Sequence, residues 1–215
     1  TVNPTAQPQQ RSPLTISPKP PITITRSSIL REQARRNFTS FAQYCLPEFC
    51  PTPFHLTYYR ALEAFAKGVI KRLIVSVPPQ HGKSLGSSIL LPAFVLGIRP
   101  YTHIAIASYS FRLATRFNRR IQQLIDSEPY HTLFPETQLK APRGGRNEMS
   151  SPHNSTSKTS INNNPIRTAE AFELAHSSGS LLAVGREGSL TGNSVDLLIL
   201  DDLFKDAMEA NSPII

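Results

Sequence analysis

Leu73-Ile74-Val75-Ser76-Val77-Pro78-Pro79-Gln80-His81-Gly82-Lys83-Ser84 joins a short apolar run to a Gly-Lys-Ser turn, and a second apolar, helix-like run follows directly. A strand that delivers the chain into a tight turn, with a helix N-terminus behind it, aims backbone N–H groups at one point in space. A lysine there adds positive charge, and the hydroxyl after it can reach a magnesium ion. The pattern predicts a loop that cradles the phosphates of a nucleoside triphosphate. Its spacing departs from G-x-x-x-x-G-K-[ST], because Val77 stands where the first glycine belongs and Pro78 and Pro79 follow. Neither proline has an N–H to donate. A phosphate cradle therefore has to be built from Gln80, His81, Gly82, Lys83 and Ser84, with Gly82 permitting an approach that a Cβ would block. Taken by itself, Gly-Lys-Ser is also compatible with a plain loop.

Far downstream, Asp196-Leu197-Leu198-Ile199-Leu200-Asp201-Asp202 is a short apolar run that ends in two adjacent carboxylates. Four continuous apolar residues are too few for a helix and suit a strand buried inside a parallel sheet. Asp201 then emerges at the strand's carboxyl end, where ligands bind in open α/β sheets. In that position Asp201 would hold Mg²⁺ and Asp202 would polarise an attacking water, the arrangement of a Walker B strand. The plainer alternative is a buried strand followed by an acidic loop.

With both motifs in view, the chain resembles the ATPase part of the large terminase subunit of tailed bacteriophages, over roughly residues 38–138 and 167–212. Arg72 to Ser84 resembles that family's strand and Pro-Pro-x-His-Gly-Lys-Ser loop, and Ile106-Ala107-Ser108-Tyr109-Ser110 its second strand and turn. Gly185, Leu190-Thr191-Gly192 and Asp196 to Asp202 are similar to the segment leading into its Walker B strand. The resemblance implies ATP and Mg²⁺ as ligands and hydrolysis that drives double-stranded DNA into a procapsid. It assigns Lys83 to the β- and γ-phosphates, Ser84 and Asp201 to Mg²⁺, and Asp202 to the catalytic carboxylate. It also implies a homo-oligomeric ring in the full-length protein, with a portal protein and a small terminase subunit as partners, in the cytoplasm of a bacterial host.

The pattern differs from the family's at three points. Gln80 stands where many relatives carry an arginine that acts on the γ-phosphate, and glutamine keeps a hydrogen bond without the charge. Asp202 is one methylene shorter than the usual glutamate, so slower hydrolysis is expected. The family's later coupling motif and nuclease domain have no counterpart, and with Thr1 at the start and Ile215 soon after Asp202 the expectation is a fragment, a processed product or a remnant. Two other functions stay open: another nucleic-acid-dependent P-loop ATPase, helicase-like in kind, and a catalytically inactive DNA-binding remnant of a terminase.

The 215 residues carry a formal net charge of +8, unevenly spread. Residues 1–150 hold 19 Lys+Arg against 7 Asp+Glu, and residues 151–215 hold 4 against 8, so the basic part could face nucleic acid while the acidic part contains the magnesium candidates. No apolar stretch approaches the ~18 residues of a transmembrane helix, and no membrane partner is expected. Cys45, Cys50 and His55 share a Cys-x₄-Cys-x₄-His spacing, but a structural zinc normally needs a fourth ligand. Two cysteines make no disulfide framework, so a reducing compartment is expected.

The expected fold is α/β, a three-layer P-loop NTPase domain with a mostly parallel central sheet, incomplete at its C-terminus. Residues 1–27, rich in Pro, Gln, Ser and Thr, read as a mobile arm, and residues 28–215 as the ATPase domain. Within it, residues 140–166 read as a flexible insertion, where Arg143 and Arg146 could touch nucleic acid or nothing. Helices are expected over Ser28 to Tyr44, Phe54 to Lys67, Leu85 to Leu96 with a kink at Pro92, and Phe111 to Ser127. Strands are expected at 73–77, 103–108, 167–175 and 180–184. Phe54, His55 and Tyr58 correspond to the family's segment near the adenine, though ordinary helix packing explains them as well. On the helix from Phe111, Leu113, Phe117, Ile121 and Leu124 share one face. Arg112, Arg116, Arg119 and Arg120 follow the neighbouring face, as a stripe for DNA phosphates or simply as a solvated surface.

Overall fold

His103–Ser108 (β1) alternates isoleucine with alanine, and this puts the large side chains of Ile104 and Ile106 on one face and Ala105 and Ala107 on the other. Around it the computed structural model, which describes residues 25–141, 166–186, 188, 190, 192–205 and 211, builds a small open sheet. The strands are β1, β2 (Ala171–Glu173), β3 (Ser180–Gly185) and β4 (Leu197–Leu200), in the spatial order β2-β3-β1-β4. Both neighbours of β1 run parallel to it, whereas β2 is antiparallel to β3, so the sheet is mixed. The expected hairpin of 167–175 with 180–184 is present as β2 and β3. Most of the expected arm and of the 140–166 insertion, with Arg143 and Arg146, lies outside the described residues.

The expected strand at 73–77 is not part of the sheet: among the described residues the chain there has no ladder partner. Leu73 and Val75 pack against the core while Ile74 is 95% exposed. The alternation is that of a half-buried strand, but the pairing has not been made.

Among the described residues there are seven α-helical segments, α1 (Arg26–Arg36), α2 (Phe38–Cys45), α3 (Pro53–Ala66), α4 (Lys83–Leu85), α5 (Leu91–Ile98), α6 (Phe111–Ile125) and α7 (Glu128–Leu133), of which α6 packs directly on β1 and β3. The single helix expected over Ser28 to Tyr44 is two, because Asn37 leaves helical geometry and caps α2 by accepting from the Ser40 N–H. Glu63 fixes the corner by accepting from the Phe38 N–H and the Asn37 amide, both at 2.8 Å. Between α4 and α5 the helix widens into a π turn over Gly86–Leu90. Pro92 accounts for it: in a regular helix its ring would meet the carbonyl four residues back, and a wider turn relieves that contact. The short α7 was not expected, although Ser127 before Glu128-Pro129 is a helix-start signature.

One hydrophobic core joins these helices to a single face of the sheet, through Ile104, Ile106, Leu181, Leu197, Ile199 and Phe172. Phe38, Phe41, Phe94 and Tyr130 form its aromatic centre, and burial pushes the Cys45 thiol up to about 12. Cys45 and Cys50 are not bonded to each other. Parallel crossovers are right-handed, so the return from β3 to β4 must pass over the opposite face from α6. The described residues of that return, 186, 188, 190 and 192–196, form no helix, and Gly188 lies against Val184. The expected third layer of helices is therefore a connecting loop among the described residues, and Leu198 and Leu200 of β4 stay 45% and 56% exposed beside it. Three glycines within 185–192 leave that segment no helical preference. Among the described residues no helix is long and apolar enough to cross a membrane.

Candidate functional site

β4 ends at Leu200, and the next two residues leave the sheet held by β1. The Asp201 N–H donates to the Ala107 carbonyl, and the Tyr109 N–H donates to the Asp202 carbonyl, both at 2.9 Å. These bonds hold Asp202 in a left-handed conformation with φ +48°. Asp201 points inward and is 2% exposed, whereas the Asp202 side chain is about half exposed.

The Gly-Lys-Ser turn approaches the same point from the helical side. Gln80 has φ +64° and Gly82 φ +73°, so the loop turns through two left-handed residues before α4 begins at Lys83. Glutamine is an unusual occupant of that region, and such residues gather at functional sites. Gly82 also lies close to α3, where an added Cβ would stand 3.3 Å from His55 Nε2. His55 is itself fixed by a hydrogen bond between its Nδ1 and the Thr52 hydroxyl. His81 turns away from the turn's interior, with Nδ1 2.8 Å from the Pro79 carbonyl and its ring edge-on to Phe54.

Lys83 links the two halves. Its Nζ donates to Asp202 Oδ1 at 2.5 Å and lies 3.1 Å from Asp201 Oδ1. Burial works against the ammonium charge, but the hydrogen bonds and attraction of Asp202 and Asp201 outweigh it and raise the Lys83 pKa above its ordinary value. Over this ion pair opens a cavity of about 440 Å³, lined by Val77 to Gln80, Gly82 to Leu85 and Asp202. Gln80, Gly82, Lys83, Ser84 and Asp202, singled out from sequence, thus meet at one cavity, with Asp201 buried beneath. A larger groove of about 790 Å³ runs along α1, but its charged residues Glu32 and Arg36 already pair with each other at 2.5 Å.

Three further residues support the site. The Tyr58 hydroxyl donates to the Lys83 carbonyl at 2.8 Å, and the Ser87 hydroxyl donates to the same oxygen at 2.9 Å. Ser88, fully buried, donates to Asp201 Oδ2 at 2.7 Å. Ser87 and Ser88 were not among the sequence candidates. The available signal was Pro92, whose distortion of the helix brings this turn inward. Phe54, His55 and Tyr58 pack against the turn at His81, Gly82 and Lys83, as ordinary helix packing explains, and Phe54 stacks on Tyr58.

Arg112, Arg116, Arg119 and Arg120 are exposed along α6 and do not line the 440 Å³ cavity. None of the four forms an ion pair among the described residues. In comparisons with protein-family models, curated proteins and solved structures, nothing matches this chain.

The donors around the cavity are a hydroxyl and two carboxylates, hard oxygens that suit Mg²⁺ better than a softer metal. Among the described residues no three His, Cys, Asp or Glu side chains converge into a cage. Mg²⁺ needs none when it is held by one or two carboxylates together with a substrate's phosphates. The residues present therefore fit a magnesium ion that arrives with a nucleotide.

Proposed function

We propose that this chain is the ATPase part of a phage terminase large subunit, binding MgATP and coupling its hydrolysis to movement of double-stranded DNA. The observation that carries the proposal is Lys83, held by Asp201 and Asp202 at the floor of a cavity bounded by the Gly-Lys-Ser turn. In phosphoryl-transfer sites a phosphate-loop lysine and a carboxylate that holds a cation stand on either side of the bound polyphosphate, and Lys83, Asp201 and Asp202 have the residue types for those positions.

In this reading the Lys83 ammonium leaves Asp202 for the oxygens between the β- and γ-phosphates, and the backbone from Gln80 to Ser84 supplies the remaining donors. Ser84 and Asp201 would hold Mg²⁺, which when bound supplies charge neutralisation on the phosphate oxygens. Asp202, released from Lys83, accepts the proton of a water whose oxygen attacks the γ-phosphorus as the bond to the β–γ bridging oxygen breaks. Gln80 donates a hydrogen bond but leaves the developing charge on the γ-phosphoryl without a cation from this position.

The Arg112, Arg116, Arg119 and Arg120 stripe is the DNA surface in the proposal. Its supporting observation is four exposed guanidinium groups on one helix, none with a carboxylate partner among the described residues. A second reading, binding of nucleotide and DNA without turnover, is favoured by one feature: the run at 73–77 that leads into the phosphate loop is unpaired among the described residues.

Thermal unfolding against MgATP tests the nucleotide site, since a ligand that binds only the native state raises the transition by mass action. A saturable rise in the parent that is absent from Lys83→Ala is expected, and no rise in either would overturn the proposal. Phosphate release then separates the motor from the non-hydrolysing reading. For DNA, alanine at all four arginines should flatten the dependence of log affinity on log salt by roughly 3 to 4, near the ~0.9 lost per phosphate contact. An unchanged slope would remove α6 from the interface.

A further inference from the structure

We propose that Ser88 is a positioning residue that sets the direction of the Asp201 carboxylate, and that the π turn at Gly86–Leu90 exists in this chain to bring it there. The inference rests on the reading of Asp201 as a magnesium ligand.

Lys83 and Ser88 are five residues apart. At ~100° per residue, a regular α-helix would set two such positions about 140° apart around its axis. The two side chains nonetheless meet the same carboxylate: Lys83 Nζ is 3.1 Å from Asp201 Oδ1, and the Ser88 hydroxyl is 2.7 Å from Oδ2. The π turn accounts for this, because its hydrogen bond runs five residues back, from the Leu91 N–H to the Gly86 carbonyl, and swings Ser88 towards the residues before it. Gly86 is required for the same reason. A Cβ there would stand 2.7 Å from a ring carbon of Tyr58, whose hydroxyl holds the Lys83 carbonyl.

The consequence for Asp201 is a division of labour between its oxygens. Oδ2 is engaged by a hydroxyl that is itself wholly buried, which fixes the carboxylate plane and leaves Oδ1 as the oxygen that meets Lys83, a residue that lines the cavity. Ser84, the hydroxyl that the motif itself supplies, lines the cavity instead of binding Asp201. The two serines, four residues apart, have different tasks: Ser84 faces the ligand, and Ser88 faces the residue that holds it.

Hydrogen bonds of this kind to a metal-binding carboxylate typically contribute 10- to 100-fold in metal affinity. The test measures the Mg²⁺ concentration that half-saturates the ATP-dependent rise in unfolding temperature, in the parent, Ser88→Ala, Ser88→Thr and Lys83→Ala. Ser88→Ala should raise that concentration at least about 10-fold, leaving ATP binding in EDTA unchanged, and Ser88→Thr should restore it. Ser88→Cys, nearly isosteric but a weak donor, stands in if the alanine variant does not fold. A Ser88→Ala protein with an altered unfolding temperature but the parent's Mg²⁺ requirement would overturn the role of Ser88 alone. A parent with no MgATP-dependent rise would overturn the nucleotide reading, and the inference with it.

Discussion

The two walls of the cavity are built from different kinds of bond. The acidic wall is backbone: β4 is laddered to β1 over four residue pairs, and main-chain bonds hold the residue before the strand and both aspartates after it. The loop wall relies mainly on side chains: among the described residues its lead-in at 73–77 has no ladder, and besides the Gly86 N–H to Gly82 carbonyl bond the turn is tied down by the Tyr58 and Ser87 hydroxyls, the His81 ring and the Lys83 ion pair. Backbone ladders are cooperative and survive loss of any single side chain, whereas an arrangement of separate side-chain contacts can be released one contact at a time. The carboxylates are thus the fixed reference of the site, and the Gly-Lys-Ser turn is the part free to move if, as proposed, Lys83 exchanges Asp202 for a nucleotide's phosphates.

The largest test of this contrast is stability. Ile199 of β4 is 7% exposed within the core, and Ile199→Ala should cost about 2–5 kcal/mol in chemical denaturation. Ile74, in the same kind of apolar run, is 95% exposed, and Ile74→Ala should stay within about 0.5 kcal/mol of the parent. Comparable losses at both positions would mean that 73–77 is a true strand in solution, and the difference between the walls would disappear.

Tyr58→Phe sharpens the comparison at the loop wall. It removes one hydroxyl from the Lys83 carbonyl and leaves the stacking of the ring on Phe54 in place. A buried hydrogen bond of this type contributes about 0.5–1.5 kcal/mol, and Ser87 still serves the same oxygen, so the loss should fall in the lower half of that range. The amides of 80–84 should exchange hydrogen faster in the variant, with those of Asp201 and Asp202 unchanged. Faster exchange at the aspartates as well would show that the walls move together.

The same contrast explains what was legible in the sequence. β1, β4 and the carboxylate pair are written in short local patterns, and Gly-Lys-Ser is a local pattern too. Whether Leu73 to Val77 gains a ladder depends on what lies beside it, and a period-2 alternation looks identical in a paired and an unpaired run. Ser88 was hidden because the helix was read at 3.6 residues per turn, and Pro92, read as a kink, is better explained as the cause of a wider turn. The third layer failed for a different reason. Three layers were expected from the alternation of strands and helices along the chain, whereas the segment after β3 is glycine-rich and its described residues, 186, 188, 190 and 192–196, form no helix.

The smallest effect expected is also the most specific to the loop wall. Gln80 sits at φ +64° with a side chain that gains nothing from the left-handed region, at a cost of roughly 1–2 kcal/mol. Glycine would remove that strain but lose more backbone freedom on folding, a penalty of about 0.5–1 kcal/mol. The two nearly offset, so Gln80→Gly should be stabilising by only about 0.5 kcal/mol, read as a small rise in unfolding temperature without ligand. If Gln80 also donates to the γ-phosphate, as proposed, the same variant must bind MgATP more weakly than the parent. A variant that is more stable when empty and weaker when loaded would show strain kept in the loop for the ligand's sake; one that gains in both would reduce Gln80 to an ordinary loop residue.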